Sequence, residues 1–270
     1  MLATNLLRAS GGGLTGIFGS NPGALDGVDF YDGTPAAGMI VFKTPGTYSV
    51  TPSEEGTVDK IFLAGAGGGG GRGGGGGGYT QENSNVALST IAYAVVVGAK
   101  GVGGSSAAAG TDGGYSRFGP DSTYQGNGGI GSKPGASNNG GAGGSGGGAL
   151  NHSTTNIQGH GGTDGSNGIS SLGTGGTGQG TTTTFAGYKY SGGGGGGNIG
   201  GSNGPGNGGA DGGGNGAQST NQGEDGDITA GGGGCESNTA SYAGDGGQGI
   251  VVITWGGYSQ NYNPVTDVVS

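Results

Sequence analysis

The chain has 270 residues, of which 82 are glycine, with only 9% charged residues and a net charge of −9. Because glycine has no side chain to bury and loses the most backbone freedom on folding, an ordinary apolar core cannot organise most of this chain. The eight prolines and the irregular glycine spacing exclude a collagen triple helix. The acidic balance argues against nucleic acid and anionic membrane surfaces as partners, since both require basic patches.

Glycine and proline together form a third of the chain, which is a composition typical of low-complexity disorder. Two features favour an ordered fold instead. Disordered segments normally carry many more charges than this chain does. The glycine region is also bracketed by apolar segments with the pattern of β-strands, and we therefore expect an ordered protein.

Five segments are predicted to be β-strands, because they are apolar or alternating and end at glycine, proline or acidic turns. In chain order they are 38–43, 47–51, 57–64, 88–97 and 249–255. In the third segment, Val58 is expected on the face opposite Ile61, since strand side chains alternate. No helix of three turns is predicted anywhere.

The last strand has only the early strands as plausible partners, so the glycine region between them is an insertion in one closed unit. The sequence therefore predicts an all-β fold, a small β-sandwich closed by N- and C-terminal strands and carrying a glycine-rich lattice. The predicted parts are an N-terminal docking arm (1–37), the sandwich (38–97 plus 250–257), the lattice (98–249) and a C-terminal tail (258–270).

The glycine region is predicted to form polyglycine-II-type helices with connecting loops. Such helices have three residues per turn and no internal hydrogen bonds, so every buried amide needs a partner on another segment. Glycine allows them to lie side by side, with Cα–H···O contacts worth about 0.5–1 kcal/mol each. The backbone ordering cost of about 1–2 kcal/mol per residue favours help from oligomerisation or from a rigid carrier.

Segments with larger side chains interrupt the glycine region and are expected to be loops, where binding residues often lie. They are 136–139, 151–158, 181–190, 217–222 and 235–242. The segment 181–190 is the richest, with three aromatic rings within six residues and an adjacent lysine. Exposed tyrosines supply large contact areas at a small entropic cost.

We therefore predict a receptor-binding surface around this loop. Its predicted residues are Phe185, Tyr188, Lys189, Tyr190, Tyr124, Tyr242 and His152. The alternative is that these rings clamp the lattice from outside without binding anything.

Four stretches carry a resemblance to a known family. They are GTYSVTPSEEGTVDKIFLAGAGGGGGRGGGGGGY (46–79), AYAVVVGAKGVGG (92–104), GGYSRFG (113–119) and GDGGQGIVVITW (244–255). Together they resemble the glycine-rich domain found at bacteriophage tail-fibre tips and in other phage virion proteins. By composition, the chain is also loosely similar to the polyglycine adhesins of T-even-like phages, whose loops between glycine helices contact bacterial outer-membrane proteins. Those adhesins carry an attachment domain ahead of the glycine region, whereas only about 37 residues precede it here.

Catalytic chemistry has little support in the sequence. There are two histidines and one cysteine, and no pair or triad of catalytic type is evident. His152 and His160 lack an obvious third metal ligand, and the acidic run 224–227 reads either as a solvated turn or as a weak cation site. Repeated G-x-G-x-x-G strings are expected by chance at this glycine content. We therefore expect no enzymatic activity, no cofactor and no metal.

No stretch of the sequence is apolar enough for a signal peptide or a membrane span. A recognition protein without an export signal fits a virion component, which is assembled in the host cytoplasm and released by lysis. Two functions stay open. The chain is either a tail-fibre tip or adhesin that contacts a host surface protein or glycan, or a structural capsid-fibre, decoration or tail-connecting subunit with the lattice as a rigid spacer.

The low apolar content predicts that the isolated chain is only marginally stable and is helped by assembly. The resemblance to phage fibre proteins implies that this assembly is a homotrimer, alongside other virion fibre or tail proteins. The residues expected to hold the trimer together are Met39, Phe42, Trp255 and the segment 258–262.

Overall fold

The computed structural model describes residues 18, 28–34, 36–105, 108–132, 140–149, 184–197, 205–209, 212–217, 222–227, 230–235, 242–264 and 266–267. This part of the chain is all-β and contains no helix, which confirms the predicted class. Its strands are β1 (Phe30–Gly33), β2 (Gly38–Phe42), β3 (Gly46–Val50), β4 (Gly56–Ala64), β5 (Thr80–Leu88), β6 (Tyr93–Val97), β7 (Ser116–Phe118), β8 (Tyr124–Gly126), β9 (Thr184–Phe185), β10 (Tyr188–Lys189) and β11 (Ile250–Trp255).

The strands form two larger antiparallel sheets and one small hairpin. The five-stranded sheet has the order β1-β2-β11-β4-β5, the four-stranded sheet has the order β3-β6-β7-β8, and β9 pairs with β10. The last strand lies at the centre of the five-stranded sheet, where Val252 is opposite both Val41 of β2 and Phe62 of β4. Its two neighbours come from the first quarter of the sequence.

In the five-stranded sheet, β2, β11 and the second half of β4 (61–64) are buried on both faces. On one face, Ile40, Ile61 and Ile253 join a core cluster that also contains Val50, Val95 and Phe118 of the four-stranded sheet. On the other face, Val41, Phe62 and Val252 join a second core cluster with Phe185, Tyr190 and Tyr262. Burial on both faces explains why these strands are continuous apolar runs and not alternating ones.

The segment expected to be an N-terminal arm also contributes to the core. The strand β1 pairs with β2, and the buried Phe18 ring lies edge-on to Trp255 with centroids 5.1 Å apart. This part of the predicted arm therefore packs against the sheet.

The prediction that Val58 and Ile61 lie on opposite faces of β4 is wrong, since both belong to the first core cluster. The pairing with β5 is interrupted between Val58 and Lys60. Asn85 lies on β5 at this interruption and has a left-handed φ of 55°. The register is the same on both sides of the interruption, so neither strand contains an extra residue. The change in the alternation of side chains along β4 therefore occurs opposite the left-handed Asn85 and not at a bulge.

The amides of the glycine tract at 65–71 donate in rotation to three neighbouring segments. The first neighbour is the segment 73–79, whose carbonyls of Tyr79, Gly76 and Gly73 accept from Gly65, Gly68 and Gly71 in that order. The second neighbour is the segment 111–114, where Gly114 and Thr111 accept from Ala66 and Gly69. The third neighbour is the segment 244–247, where Gly247 and Gly244 accept from Gly67 and Gly70. The N···O distances are 2.8–3.0 Å. Each neighbouring segment therefore receives every third amide of the tract.

The next tract, at 73–79, repeats the pattern with other neighbours. The segment 145–148 accepts from Gly74 and Gly77, through the carbonyls of Gly148 and Ser145. The segment 230–233 accepts from Gly75 and Gly78, through Gly233 and Ala230. The segment 127–130 accepts from Gly76 and Tyr79, through Ile130 and Asn127. Both tracts lie inside the range predicted for the sandwich, yet their amides bond mainly to segments beyond Gly98. The glycine network therefore begins earlier in the chain than the sequence predicted.

Neighbouring glycine segments approach each other more closely than any side chain allows. A Cβ atom added to Gly75 would lie 2.0 Å from the carbonyl oxygen of Gly68, and one added to Gly78 would lie 1.8 Å from that of Gly65. The obstacle in both cases is backbone, which cannot rotate away as a side chain can. Contact between backbones thus replaces side-chain packing in this region.

Side-chain oxygens accept amide hydrogens at the margins of the network. Asp245 Oδ1 accepts from the Gly103 amide at 2.7 Å, and its other oxygen lies 2.9 Å from Lys100 Nζ. Partial burial opposes ionisation of Asp245, but the Gly103 amide and the Lys100 ammonium outweigh it and hold the pKa below its ordinary value of 3.8. The ionised carboxylate therefore stabilises the folded state.

This stabilisation is expected to depend on pH. Because the folded pKa of Asp245 is depressed, its contribution is complete above the unfolded value near 3.8 and is lost as the pH falls through the lower folded value. We expect Asp245→Asn to cost about 1 kcal/mol or less at neutral pH, since the pair is partly exposed. The difference in melting temperature from the wild type should vanish below the folded pKa. Glu54→Gln, on an exposed turn, is the control and should melt as the wild type does. If Asp245→Asn lowered the melting temperature equally at every pH, the stabilisation would not come from the ionised Asp245 carboxylate.

Candidate functional site

The loop predicted to bind a receptor contains a tight β-hairpin. Thr184 and Phe185 of β9 pair with Lys189 and Tyr188 of β10. Both turn residues have left-handed backbones, with φ values of 49° at Ala186 and 82° at Gly187, as two-residue hairpin turns require. The left-handed conformation is unfavourable for alanine.

Two of the three aromatic rings in this loop are buried, which corrects the expectation that all three are exposed. Phe185 stacks on Phe62 with centroids 4.5 Å apart and planes 7° apart, and Tyr190 packs on the same ring at 4.7 Å. Tyr190 is 0% exposed and Phe185 is 5% exposed, and burial raises the pKa of the Tyr190 hydroxyl. Both rings anchor the hairpin to the five-stranded sheet.

The C-terminal segment holds the hairpin from the other side. The buried Tyr262 donates its amide to the carbonyl of Ala186 at 2.9 Å, and its ring lies 5.2 Å from that of Phe30. The Lys43 ammonium donates to the carbonyls of Pro264 at 3.3 Å and Asp267 at 2.7 Å. Burial lowers the pKa of Lys43, although the nearby carboxylates of Asp29 and Asp267 partly oppose the shift.

A cavity of about 290 Å³ lies between the hairpin, the sheet and the C-terminal segment. Its lining residues are Met39, Lys60, Thr184, Phe185, Ala186, Thr254, Tyr258, Ser259 and Gln260. The Lys60 ammonium lies 5.8 Å from the centroid of the Phe185 ring and 2.6 Å from Glu82 Oε1. The Tyr258 hydroxyl donates to the Asp32 carboxylate; burial and then this carboxylate raise the Tyr258 pKa.

Exposed polar residues surround the mouth of this cavity. Lys189 is exposed and Tyr188 is half-buried on the hairpin, while Ser259, Gln260 and Asn261 are exposed on the C-terminal segment. The two parts touch, since a Cβ added to Gly187 would lie 2.8 Å from Asn261 Oδ1. We call Tyr188, Lys189, Ser259, Gln260 and Asn261 the hairpin–tail surface.

The remaining predicted site residues lie elsewhere. Tyr124 is on β8, half-buried against the first core cluster, with its ring 6.4 Å from Phe118. Tyr242 is 61% exposed beside the glycine network. His152 lies outside the residues that the structure describes. The structure therefore groups Phe185, Tyr188, Lys189 and Tyr190 but places Tyr124 in a different sheet.

Sequence reasoning missed the cavity residues Lys60, Thr254 and Gln260. Lys60 and Thr254 occur within apolar strands, where a polar residue gives no sign of what it faces. The segment 258–262 does carry a signal, because its Tyr, Ser, Gln and Asn side chains are typical of recognition loops. The sequence analysis predicts a trimer contact for this segment.

Within the described ranges, no helix is long and apolar enough to cross a membrane. In the same part of the chain, no three His, Cys, Asp or Glu side chains lie close enough together to hold a metal ion. The acidic run at 224–227 takes part in the glycine network, where Glu224 Oε2 accepts from Asn215 Nδ2 at 2.6 Å and Asp225 Oδ1 accepts from the Asp245 amide at 2.8 Å.

Comparison with known proteins connects this arrangement to one family. No curated protein matches the chain. The family model described as a glycine-rich domain matches residues 43–256, a range that includes β3 to β8, the hairpin, β11 and both glycine tracts described above. This match confirms the glycine-rich part of the resemblance found in the sequence. The chain belongs to the glycine-rich domain family.

Proposed function

We propose that this protein is a bacteriophage virion component at the tip of a tail fibre, where it acts as a receptor-binding adhesin. In this proposal the two sheets form a β-sandwich, and the glycine segments form a lattice of polyglycine II helices carried by it. The hairpin–tail surface contacts a protein or glycan of the host cell.

The lattice proposal rests on the rotation of hydrogen bonds along each glycine tract. Every third amide of 65–71 and of 73–79 reaches the same neighbour, and three residues per turn is the period of a polyproline-II-type helix. The added-Cβ distances of about 2 Å to neighbouring carbonyls, as at Gly75, support packing that only glycine permits. Such a scaffold is rigid because each segment is bonded on several sides.

The observation that carries the adhesin proposal is that the five-stranded sheet fixes the hairpin through its buried rings, while other side chains of the hairpin stay accessible to solvent. Phe62 holds Phe185 and Tyr190, and Tyr262 holds the turn. Tyr188 and Lys189 are left at the surface. A fixed recognition surface loses little conformational entropy on binding, which favours affinity. Tyrosine with neighbouring serine and asparagine is the composition of adaptable binding loops.

A structural spacer is the second candidate, and one observation favours it. Two of the three aromatic rings in the loop serve internal packing, as expected of a clamp. In that case the hairpin secures the C-terminal segment, and the chain is a capsid-fibre, decoration or tail-connecting subunit.

Assembly with other virion proteins, and as a homotrimer, forms part of the proposal. Met39, Phe42 and Trp255 are each about 1% exposed within one chain, so these side chains are not available as a trimer contact in this fold. The segment 258–262, the other part of the predicted contact, does expose Ser259, Gln260 and Asn261, and the trimer stays a prediction.

Binding to cells and position in the particle test the proposal together. We expect antibodies against the purified chain to label fibre tips, seen by immunogold electron microscopy, on particles released from cells that carry the gene. The fluorescent chain should bind cells to which those particles adsorb. Tyr188→Ser combined with Lys189→Ala should weaken this binding by at least about tenfold.

Tyr115→Ser is the matched control, because Tyr115 is another exposed tyrosine, located beside Arg117 ahead of β7. It should bind cells as the wild type does. Gold label confined to the capsid or tail tube, with no binding of the purified chain to cells, would support the spacer and overturn the adhesin.

A further inference from the structure

We propose that the cavity between the hairpin and the C-terminal segment binds one neutral pyranose ring of a host surface glycan. This inference rests on the proposed adhesin function and names its ligand class. It concerns the cavity itself, whereas the hairpin–tail surface around it would contact the rest of the receptor.

The cavity lining has the two kinds of chemistry that a pyranose presents. A sugar ring has an apolar C–H face and a rim of hydroxyl groups. The apolar part of the lining comes from the half-buried Ala186 and from the small exposed parts of Met39 and Phe185. The groups that can hydrogen-bond to the hydroxyl rim belong to Lys60, Thr184, Thr254, Tyr258, Ser259 and Gln260.

The volume favours a small ligand over a peptide. The cavity measures about 290 Å³, at the lower end of the range of small-molecule pockets, roughly 300–1,000 Å³. A single sugar ring suits this space, and the exposed position of Ser259 and Gln260 leaves room for a glycan chain to continue into solvent.

The charges around the cavity favour a neutral sugar over an acidic one. Among the lining residues Lys60 alone is charged, and Glu82 neutralises it at 2.6 Å. The Tyr258 hydroxyl is paired with the Asp32 carboxylate, and the Asp59 carboxylate lies nearby, accepting from the Gly257 amide at 2.6 Å. Within the lining, an anionic ligand would therefore meet no uncompensated cation.

Both walls of the cavity are fixed before any ligand arrives. Phe185 is held by its stack on Phe62, and the C-terminal wall is held at Gly257 by Asp59 and at Tyr262 by Ala186. A sugar therefore binds without ordering a mobile segment, which reduces the entropic cost of binding.

Saturation-transfer NMR with methyl glycosides of glucose, galactose, mannose and N-acetylglucosamine tests this site. We expect transfer to the ring protons of at least one glycoside in the presence of the wild-type chain. Thr184→Trp, at an exposed position on the lining, fills the cavity and should weaken that binding by at least about tenfold. Thr47→Trp, at an exposed position on β3, is the matched control and should bind normally.

A second variant guards against loss of folding in Thr184→Trp. Ser259→Ala combined with Gln260→Ala removes exposed polar groups from the lining, and should weaken glycoside binding while the melting temperature is unchanged. Absence of transfer to every glycoside, or full transfer to the properly folded Thr184→Trp variant, would overturn the sugar site.

Periodate treatment of cells separates this inference from the proposed function, because periodate cleaves the vicinal diols of sugars. Loss of chain binding after treatment supports the sugar site. Undiminished binding to treated cells overturns the glycan inference and leaves the adhesin proposal standing. If the chain bound a glycoside but bound no cells, the sugar site would be supported and the adhesin proposal would be overturned.

Discussion

Gly75→Ala should lower the melting temperature strongly, although it adds a single methyl group. The new Cβ would lie 2.0 Å from the Gly68 carbonyl oxygen, and the Gly75 amide is bonded to Gly233 on another side. Relief of the clash requires a backbone shift that breaks these contacts. We expect a loss of about 3 kcal/mol, the upper part of the range for overpacking, or about 6–12 °C in melting temperature, measured by calorimetry.

Gly46→Ala provides the matched control on the four-stranded sheet. Its nearest neighbour would be the Tyr48 hydroxyl at 3.3 Å, which is the end of a side chain that can move. This variant should melt within about 2 °C of the wild type. If both variants melted alike, backbone packing would not be what stabilises the glycine region.

Tyr190→Ser should destabilise the fold at least as much as Gly75→Ala, while Tyr188→Ser should have a small effect. Tyr190 is fully buried and packs on Phe62, whereas Tyr188 is half-buried at the surface. Removal of a large buried aromatic ring costs about 3–5 kcal/mol, or about 6–20 °C. The loss at Tyr188 should stay within about 1 kcal/mol.

Tyr190→Phe distinguishes ring packing from the hydroxyl group. The Tyr190 hydroxyl is buried without a hydrogen-bond partner, so its removal leaves the packed ring in place and should be neutral or slightly stabilising. Equal melting of Tyr190→Ser and Tyr188→Ser would show that the hairpin is not anchored through Tyr190.

The strands that could be predicted from the sequence are those whose side chains face a core. The apolar runs of β2, of the second half of β4 and of β11 are visible in the sequence, because both faces of these stretches are buried. The strand β5 was missed because most of it is polar. Only Val86 and Leu88 of β5 are buried, and its pairing with β4 includes an ion pair between Glu82 and Lys60, which no local pattern reveals.

The extent of the glycine network was harder to predict than its existence. The tracts at 65–71 and 73–79 follow β4 directly, so composition offers no boundary between sheet and network. Their partners lie as far away as Gly247, and glycine carries no pattern that specifies which tracts are neighbours. Backbone partners of this kind depend on the whole fold.

The candidate site was predictable in its location but not in its orientation. The cluster of aromatic residues at 185–190 drew attention to this segment, which was expected to be a loop with all three rings exposed. The turn at Ala186 and Gly187 and the contact with Phe62 decide which ring is buried. The cavity is lined by four stretches that are distant in sequence, which local reasoning cannot bring together.

The rotation of hydrogen bonds along the glycine tracts limits which insertions and deletions related sequences can tolerate. One extra residue in 65–71 would advance every later amide by a third of the cycle and direct it to the wrong neighbour. Three extra residues would return each later amide to the same neighbouring segment, displaced by one turn. Tract lengths are thus constrained to steps of three, while the segments between tracts are under no such constraint. Related chains should differ in those segments by insertions of any length, and so acquire new surfaces on an unchanged backbone frame.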